Sequence, residues 1–215
     1  MTFEIKICGI TTPAALRSAA EAGATAIGLV FADSVRRVDV QTAARLAGAA
    51  PLGLTRVAVF RHPVSELVRR VLGEVRIDRV QSDADDLESI RSVLGATPFM
   101  PVYRDGPDLA ALVDARAARA QTPGRILIEG PRSGSGLTPD WTRIAAIRSV
   151  PVVLAGGLTP DNVAAAIRAV RPVGVDVSSG VESAPGVKDP TRIHAFVHAA
   201  RAAFAQQNQP HGSHP

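Results

Sequence analysis

Residues 151–170 read PVVLAGGLTPDNVAAAIRAV, and this stretch contains the unit from which the fold can be inferred. Residues 152–155 form a continuous apolar run, which is typical of a parallel strand buried on both faces. Gly156 and Gly157 end that run. Thr159 and Pro160 are favoured at the first positions of a helix, so we predict a helix over 161–170. A strand, a glycine-rich turn and a helix together make one β/α unit.

The same unit repeats along the rest of the chain. We predict eight strands, at 3–8, 26–31, 56–60, 76–81, 99–103, 125–129, 152–155 and 173–177. Segments with helical periodicity lie between them, at 13–22, 41–50, 64–72, 109–120 and 161–170, and the helical pattern is weakest after strands four and six. Eight such units with right-handed crossovers close into a barrel.

The predicted fold is therefore a single-domain α/β structure, a (β/α)8 TIM barrel over residues 1–205, with a polar and frayed tail at 206–215. The alternative is an open doubly wound sheet. Such a sheet would be expected to show a GxGxxG turn after its first strand, and the sequence has no such turn there.

Composition and charge narrow the class of function. The 215 residues are 46% hydrophobic and 20% charged, which is enough apolar material for a large core. The formal net charge is +4, but the basic residues are scattered and only 4% of residues are aromatic, which argues against a nucleic-acid partner. A small anionic substrate suits this charge better.

The cysteine count and the apolar runs indicate a location. A lone cysteine forms no internal disulfide, and the N-terminus lacks the pattern of a signal peptide. No apolar run approaches the roughly 18 residues that a membrane span requires. We expect a cytoplasmic protein, a monomer or homodimer, with no membrane partner.

Catalytic residues of a barrel lie at the carboxyl ends of its strands, where Cys8 and Glu129 are found. Lys6 lies two residues before Cys8 on the same face, so both side chains are expected inside the barrel, where the ammonium would favour thiolate. Glu129 would supply an acid across the mouth, beside a loop at 130–136 that could close over substrate. The alternatives are a small buried cysteine and a solvated glutamate.

Glycine-rich segments follow the last two predicted strands. Loops seven and eight of this fold frequently bind a phosphate through backbone N–H groups, with the help of a short extra helix. The phosphate-binding residues predicted on this ground are Gly156, Gly157, Ser178, Ser179 and Gly180.

Two further residues are assigned to substrate binding, and metals and cofactors are not expected. Arg36, in the loop after strand two, could hold a substrate carboxylate through two parallel hydrogen bonds. Asp176, on strand eight, is assigned to the substrate site with it. The five histidines show no compact cluster with acidic residues at strand ends, so no metal site is predicted. These histidines are His62, His194, His198, His211 and His214.

Six motifs in order resemble those of the phosphoribosylanthranilate isomerase family of tryptophan biosynthesis. They are KICGIT at 6–11, AIGLVFADSVRRV at 26–38, VAVF at 57–60, GSGLTPDW at 134–141, LAGGLTPDNV at 154–163 and VDVSSGVESAPGVKD at 175–189. The resemblance implies a cofactor-free Amadori rearrangement, catalysed by an aldose–ketose type isomerase. It also implies that Cys8 is the base, that Arg36 holds the anthranilate carboxylate, and that Gly156, Gly157, Ser179 and Gly180 hold the phosphate.

The sequence departs from the family pattern at three places. Glu129 stands where the family has aspartate, the end of strand four reads QSDA at 81–84 instead of Gln-Leu-His-Gly, and Pro139 replaces a phenylalanine. These departures keep two alternatives open: a diverged paralogue that isomerises a related aminated phosphosugar, and a catalytically inactive phosphosugar-binding barrel.

Overall fold

The computed structural model describes residues 3–118, 124–131 and 138–207, and it confirms the (β/α)8 barrel. Eight parallel strands pair in chain order and the eighth returns to the first, closing the sheet. The strands are β1 (Glu4–Cys8), β2 (Ala26–Val30), β3 (Thr55–Val59), β4 (Arg79–Asp83), β5 (Phe99–Arg104), β6 (Ile126–Glu129), β7 (Val152–Leu154) and β8 (Gly174–Val177). Helices α1 to α7 connect or follow these strands, as expected for β/α units.

The helices are α1 (Pro13–Ala22), α2 (Val40–Ala49), α3 (Ser65–Glu74), α4 (Leu87–Leu94), α5 (Leu109–Ala118), α6 (Trp141–Ala145), α7 (Val163–Val170) and α8 (Pro190–Gln207). Short 3-10 turns occupy Ala84–Asp86 and Ser179–Val181, and a small hairpin of β9 (Glu182–Ala184) and β10 (Val187–Lys188) precedes α8. The helices after β4 and β6 are only eight and five residues long, which agrees with the weak periodicity there.

The start of α7 was predicted two residues too early. The regular helix begins at Val163, and Thr159 is not the residue whose side chain caps it. Instead, the Asn162 side chain accepts a hydrogen bond from the Thr159 N–H and donates one to the Gly157 carbonyl. These two bonds hold a turn between the glycine loop and the helix, so Thr159 and Pro160 belong to that turn.

Strand β4 differs most from its prediction, which placed it at 76–81. It runs from Arg79 to Asp83 and therefore ends in the polar pair Ser82 and Asp83, both of which are buried. Asp78 lies before the strand, where its carboxylate accepts hydrogen bonds from the Arg56 backbone and guanidinium. Apolar patterning missed the end of the strand because its buried residues are polar.

The core has two layers. A large apolar layer lies between the strands and the surrounding helices, and a smaller apolar cluster of Met100, Val102, Leu127, Val153 and Ala155 fills part of the barrel interior. Charged residues fill other parts of that interior: Lys6 pairs with Asp176, and Glu4 pairs with Arg79 and Arg125. The barrel is thus a packed core with polar contacts, not a pore.

The predicted C-terminal tail and the predicted strand-six loop both extend beyond the residues that the structure describes. Helix α8 continues to Gln207, two residues into the stretch predicted as a tail, and the tail beyond it lies outside the described residues. Residues 132–137 of the predicted strand-six loop also lie outside them. Within the described ranges, no helix combines the length and the apolar character that crossing a membrane requires.

Candidate active site

A cavity of about 240 Å³ opens at the carboxyl ends of the barrel strands. This is the end at which enzymes of this fold carry their chemistry. Eight of the nine predicted site residues line it: Cys8, Arg36, Glu129, Gly156, Gly157, Asp176, Ser178 and Ser179. Gly180 is the exception, and it lies behind the cavity wall against the backbone of Leu158.

Cys8 ends β1 and is a buried free thiol in the wall of this cavity. Its sulfur has room because the neighbouring strand carries Gly28 beside it, and a Cβ at that position would lie 2.7 Å from Sγ. Burial raises the pKa of the Cys8 thiol above its ordinary value, and the nearby charge of Lys6 only partly opposes this. The expectation that Lys6 would favour thiolate is correct in sign, but burial outweighs it.

Lys6 lies inside the barrel, as predicted, but its ammonium is already paired. Nζ is 2.9 Å from Oδ1 of Asp176, the residue directly opposite it on β8. Burial opposes the charge on Lys6, yet Asp176 and the nearby Cys8 and Glu4 raise the pKa of the ammonium above its ordinary value. Asp176 therefore reaches the cavity floor with one carboxylate oxygen bound to a buried cation.

Glu129 ends β6 on the cavity wall and forms an ion pair there. Its Oε1 lies 3.2 Å from Nη2 of Arg104, the residue directly opposite it on β5. The same Nη2 donates to Oδ1 of Asp83 at 2.8 Å. One guanidinium nitrogen therefore lies between the carboxylates that end β4 and β6, the two strands on either side of β5.

The prediction that no histidine clusters with acidic residues at a strand end is wrong. His62, just after β3, places Nε2 3.2 Å from Asp83 and Nδ1 2.9 Å from Asp86. The Asp86 carboxylate also accepts from the His62 backbone N–H and from Ser82 Oγ. Each imidazole nitrogen thus has its own carboxylate partner, and His62 lies between Asp83 and Asp86. Spacing could not reveal this cluster because 21 residues separate His62 from Asp83.

Arg36 lies in the cavity wall and binds a carboxylate of the protein itself. Its Nε and Nη2 each donate to one oxygen of Glu182 at 2.8 Å, the bidentate geometry predicted for a substrate. Lys188 Nζ also donates to Glu182, at 2.7 Å. Burial would raise the pKa of Glu182, but the hydrogen bonds from Arg36 and Lys188 lower it to about 2. The edge of Arg36 that can meet a ligand is therefore the one formed by Nη1 and Nη2.

The two glycine-rich loops contribute Gly156, Gly157 and Ser179 to the cavity lining, with Gly180 directly behind them. Gly156 and Gly157 both have positive φ angles, of 87° and 61°, which glycine adopts without the steric cost that other residues incur. Within the described ranges, the backbone N–H groups of Gly156, Gly157, Ser179 and Gly180 have no hydrogen-bond acceptor. Oriented N–H groups of this kind are suited to an anion.

Ser178 and Gly180 hold the eighth loop in place. Ser178 Oγ donates to the carbonyl of Cys8, and Lys188 donates to the Ser178 carbonyl and hydroxyl. A Cβ on Gly180 would lie 1.9 Å from the Leu158 carbonyl oxygen, so only glycine permits the two loops to approach this closely. The Ser178 side chain therefore joins the loop to β1, while Ser179 and the glycines face or support the cavity.

Sequence reasoning missed several residues that shape the site. Gln81 lines the cavity, and its buried Oε1 has no partner in the described part of the chain, so it is a ready acceptor for a ligand. Arg104, Asp83, Glu182 and Lys188 form the ion pairs described above. The strand-end positions of Asp83 and Arg104 were the available signal, but strand β4 was predicted to end at 81 and β5 at 103. Gln81 did stand at the predicted end of β4, and it was not considered as a ligand-binding residue.

Comparison with known proteins identifies the family. Residues 5–199 match the family model described as N-(5'phosphoribosyl)anthranilate (PRA) isomerase. The chain is 42% identical over 216 residues to the N-(5'-phosphoribosyl)anthranilate isomerase of Paracoccus denitrificans, which covers 94% of this chain and 99% of the relative.

Solved structures agree. The crystal structure of phosphoribosyl anthranilate isomerase from Thermotoga maritima matches with a TM-score of 0.83 and 34% identity, over 94% of this chain and 100% of that one. A crystal structure of a phosphoribosyl anthranilate isomerase in complex with reduced 1-(o-carboxyphenylamino)-1-deoxyribulose 5-phosphate matches with a TM-score of 0.81 and 32% identity, over the same shares of the two chains. The match covers the barrel and the cavity at its mouth together, and this chain therefore belongs to the phosphoribosylanthranilate isomerase family.

Proposed function

We propose that the chain catalyses the Amadori rearrangement of N-(5-phosphoribosyl)anthranilate to 1-(2-carboxyphenylamino)-1-deoxyribulose 5-phosphate. The observation that carries this proposal is one cavity lined by a thiol, a carboxyl group and two loops with unpaired backbone N–H groups. An isomerisation by proton transfer requires a base and an acid on opposite sides of the reacting carbons. The N–H groups supply the anchor for the phosphate.

The first two steps each assign a proton to a named side chain. Glu129 protonates the ring oxygen of the ribofuranose, the C1–O bond breaks, and the lone pair of the anthranilate nitrogen forms the C=N bond of a protonated Schiff base. The Cys8 thiolate then removes the proton from C2, and the electrons of the C2–H bond form the C1=C2 double bond of an enolamine. The enolamine tautomerises to the C2 ketone as its C2 hydroxyl releases a proton and C1 gains one. No cofactor is needed, because the steps only transfer protons and rearrange bonding electrons within the substrate.

Burial of Cys8 has two opposite effects on its role as a base: it makes the thiolate a stronger base, and it lowers the fraction of the thiol that is ionised. Because burial raises the pKa of the thiol, the thiolate binds a proton more strongly than an exposed one does. The C2 proton of a Schiff base is only weakly acidic, so a stronger base lowers the barrier to its removal. The Lys6 ammonium, held by Asp176, limits the cost of forming the thiolate inside the barrel.

The remaining residues bind the two ends of the substrate. Gly156, Gly157, Ser179 and Gly180 are assigned to the phosphate, and Arg36 to the anthranilate carboxylate. Arg36 is held by Glu182, so its remaining edge is fixed in direction before substrate arrives. Preorganised donors of this kind lower the entropic cost of binding. We expect the enzyme to act as a monomer or homodimer.

Fluorescence tests the proposal. The anthranilate-type fluorescence of the substrate should decay as the wild-type protein converts it. Cys8→Ala should lower kcat by about a hundredfold to ten-thousandfold, because a positioned base typically contributes about 10²- to 10⁴-fold. The variant should still bind a product analogue, since Cys8 contributes neither to the phosphate loops nor to Arg36. A wild-type protein without turnover, or an active Cys8→Ala variant, would exclude the proposed mechanism.

One observation favours a second candidate, a paralogue that rearranges a related aminated phosphosugar. The family's histidine at the end of strand four is replaced by Asp83, which here pairs with Arg104 and His62 on the cavity wall. A changed wall can change substrate preference. Comparison of kcat/KM across aminated phosphosugars would decide, because specificity is the ratio of those values. Strong preference for phosphoribosylanthranilate would exclude this candidate.

A further inference from the structure

The acid at the end of β6 is a glutamate in this chain, and the structure supplies a partner that matches its length. Arg104 lies directly opposite Glu129 in the register of β5 and β6, and its Nη2 is 3.2 Å from Glu129 Oε1. An aspartate would withdraw the carboxyl group by on the order of 1 Å, out of hydrogen-bond range of that nitrogen. The ion pair therefore depends on the longer side chain.

Arg104 is also held by a carboxylate at the end of β4. Its Nη2 donates to Asp83 Oδ1 at 2.8 Å, and Asp83 Oδ2 lies 3.2 Å from His62 Nε2. Asp83 is buried at the end of β4, so it is a firmer anchor than a solvent-exposed carboxylate. The guanidinium is thus fixed by β4 before it contacts β6.

We propose that Arg104 is a positioning residue that, anchored by Asp83, holds the carboxyl group of Glu129 at the place where the ring oxygen is protonated. This inference rests on the proposed function of the site. It links two of the departures from the family pattern, because Asp83 and Glu129 are the two residues that share Arg104. Each substitution supplies one of the carboxylates that the guanidinium joins.

The test is a kinetic double-mutant cycle on the full chain with phosphoribosylanthranilate as substrate. Arg104→Gln should lower kcat about tenfold to a hundredfold with KM changed less than about threefold, because the acid is displaced while the binding groups stay. Arg104→Lys should recover most of the loss, since one ammonium can join two carboxylates. In a Glu129→Asp background, Arg104→Gln should cost less than about threefold further, because the contact is already broken.

Controls separate the possible outcomes. Arg70→Gln removes an exposed arginine–carboxylate pair on α3, at a residue that does not line the active-site cavity, and should leave kcat unchanged. Thermal unfolding checks that each variant is folded. If the Arg104→Gln variant does not fold, the Arg104→Lys variant still gives a decisive test. Full additivity in the double variant, or a loss confined to KM, would overturn the inference and make Arg104 a substrate-binding or structural residue. An inactive wild-type protein would instead overturn the proposed function and this inference with it.

Discussion

The two sides of the barrel mouth are built in different ways. On one side, loops seven and eight offer backbone N–H groups and meet where Gly180 packs on Leu158. On the other side, β4 to β6 end in a network of charged side chains centred on Arg104. The loop side carries two of the motifs on which the family resemblance rests, at 154–163 and 175–189. The network side carries two of the three departures that were inferred from the sequence, at Asp83 and Glu129. Loops that bind through their backbone tolerate few substitutions, whereas the members of a side-chain network can be exchanged together.

The largest expected effect is on the loop side. Gly180→Ala places a methyl group against the Leu158 carbonyl oxygen, where a Cβ would be 1.9 Å away, and no side-chain rotation can relieve a backbone clash. We expect a loss of about 3 kcal/mol or more in the free energy of unfolding, with weakened affinity for inorganic phosphate. Urea unfolding and phosphate titration measure both.

Gly48→Ala is the matched control. Gly48 lies in α2, and a Cβ there would have no neighbour within 4 Å. The variant should be stabilised by about 0.5–1 kcal/mol, because alanine is the better helix former. A Gly180→Ala protein as stable as the wild type, with unchanged phosphate affinity, would show that the contact between the two loops is not needed.

The second prediction concerns the network side. Glu129→Asp introduces the residue that the family pattern contains, yet it should lower kcat by about a hundredfold, because a displacement of about 1 Å costs that much. Steady-state kinetics with phosphoribosylanthranilate measures the loss. Glu129→Gln keeps the length but not the proton, and should be at least as slow. Equal or higher activity in the Glu129→Asp variant would show that catalysis does not need the ion pair between Arg104 and Glu129.

The third prediction uses the ion pair that joins Arg36 to the eighth loop. The pKa of Glu182 is about 2 instead of its ordinary 4.5, so its carboxylate stabilises the fold above pH 4.5 and this stabilisation is lost as pH falls toward 2. At 1.36 kcal/mol per pKa unit, the contribution is at most about 3 kcal/mol. Glu182→Gln should unfold more easily at neutral pH and depend less on pH between 4.5 and 2.

Acid unfolding followed by circular dichroism gives this comparison. Glu66→Gln, which removes an exposed carboxylate paired with Arg69 on α3, serves as the control and should change stability by less than about 0.5 kcal/mol. If the Glu182→Gln protein retains the full acid dependence of the wild type, another carboxylate is responsible for it.

The smallest effect is expected at the outer end of the network. The His62 side chain is 65% exposed, and its backbone φ of 47° is one that asparagine also tolerates. His62→Asn should change kcat by about twofold and the free energy of unfolding by less than about 1 kcal/mol, because Asp83 still accepts its hydrogen bond from Arg104. Kinetics and thermal unfolding check this. A tenfold fall in kcat would extend the positioning network outward to His62.

The fold was predictable because the same pattern, an apolar run followed by a helical segment, recurs along the chain. Eight apolar runs alternating with helical segments are needed for a closed parallel barrel, and an error in one element does not change the count. Strand β4 was misplaced by three residues at its start, and the barrel was still correct. Apolar patterning failed there because Ser82 and Asp83 are buried with polar partners, which a hydrophobic pattern does not show.

The site was predictable where one residue type is required at one place. Cys8 at a strand end and glycines after β7 and β8 are such residues, and all but Gly180 line the cavity. The partners of those residues were not predictable. Arg36 contacts Glu182 across 146 positions and Lys6 contacts Asp176 across 170, and nothing local marks either pair.

The sequence by itself therefore determined the barrel, the end at which the cavity opens and the thiol, carboxyl group and glycine loops that line it, because these follow from local patterns and from strand order. Only the tertiary structure decided which charged side chains pair and how deeply the thiol is buried. It placed Arg104 between Asp83 and Glu129, bound Arg36 to Glu182 and buried Cys8 deeply enough to raise the pKa of its thiol. Burial and pairing depend on side chains that meet only when the barrel closes.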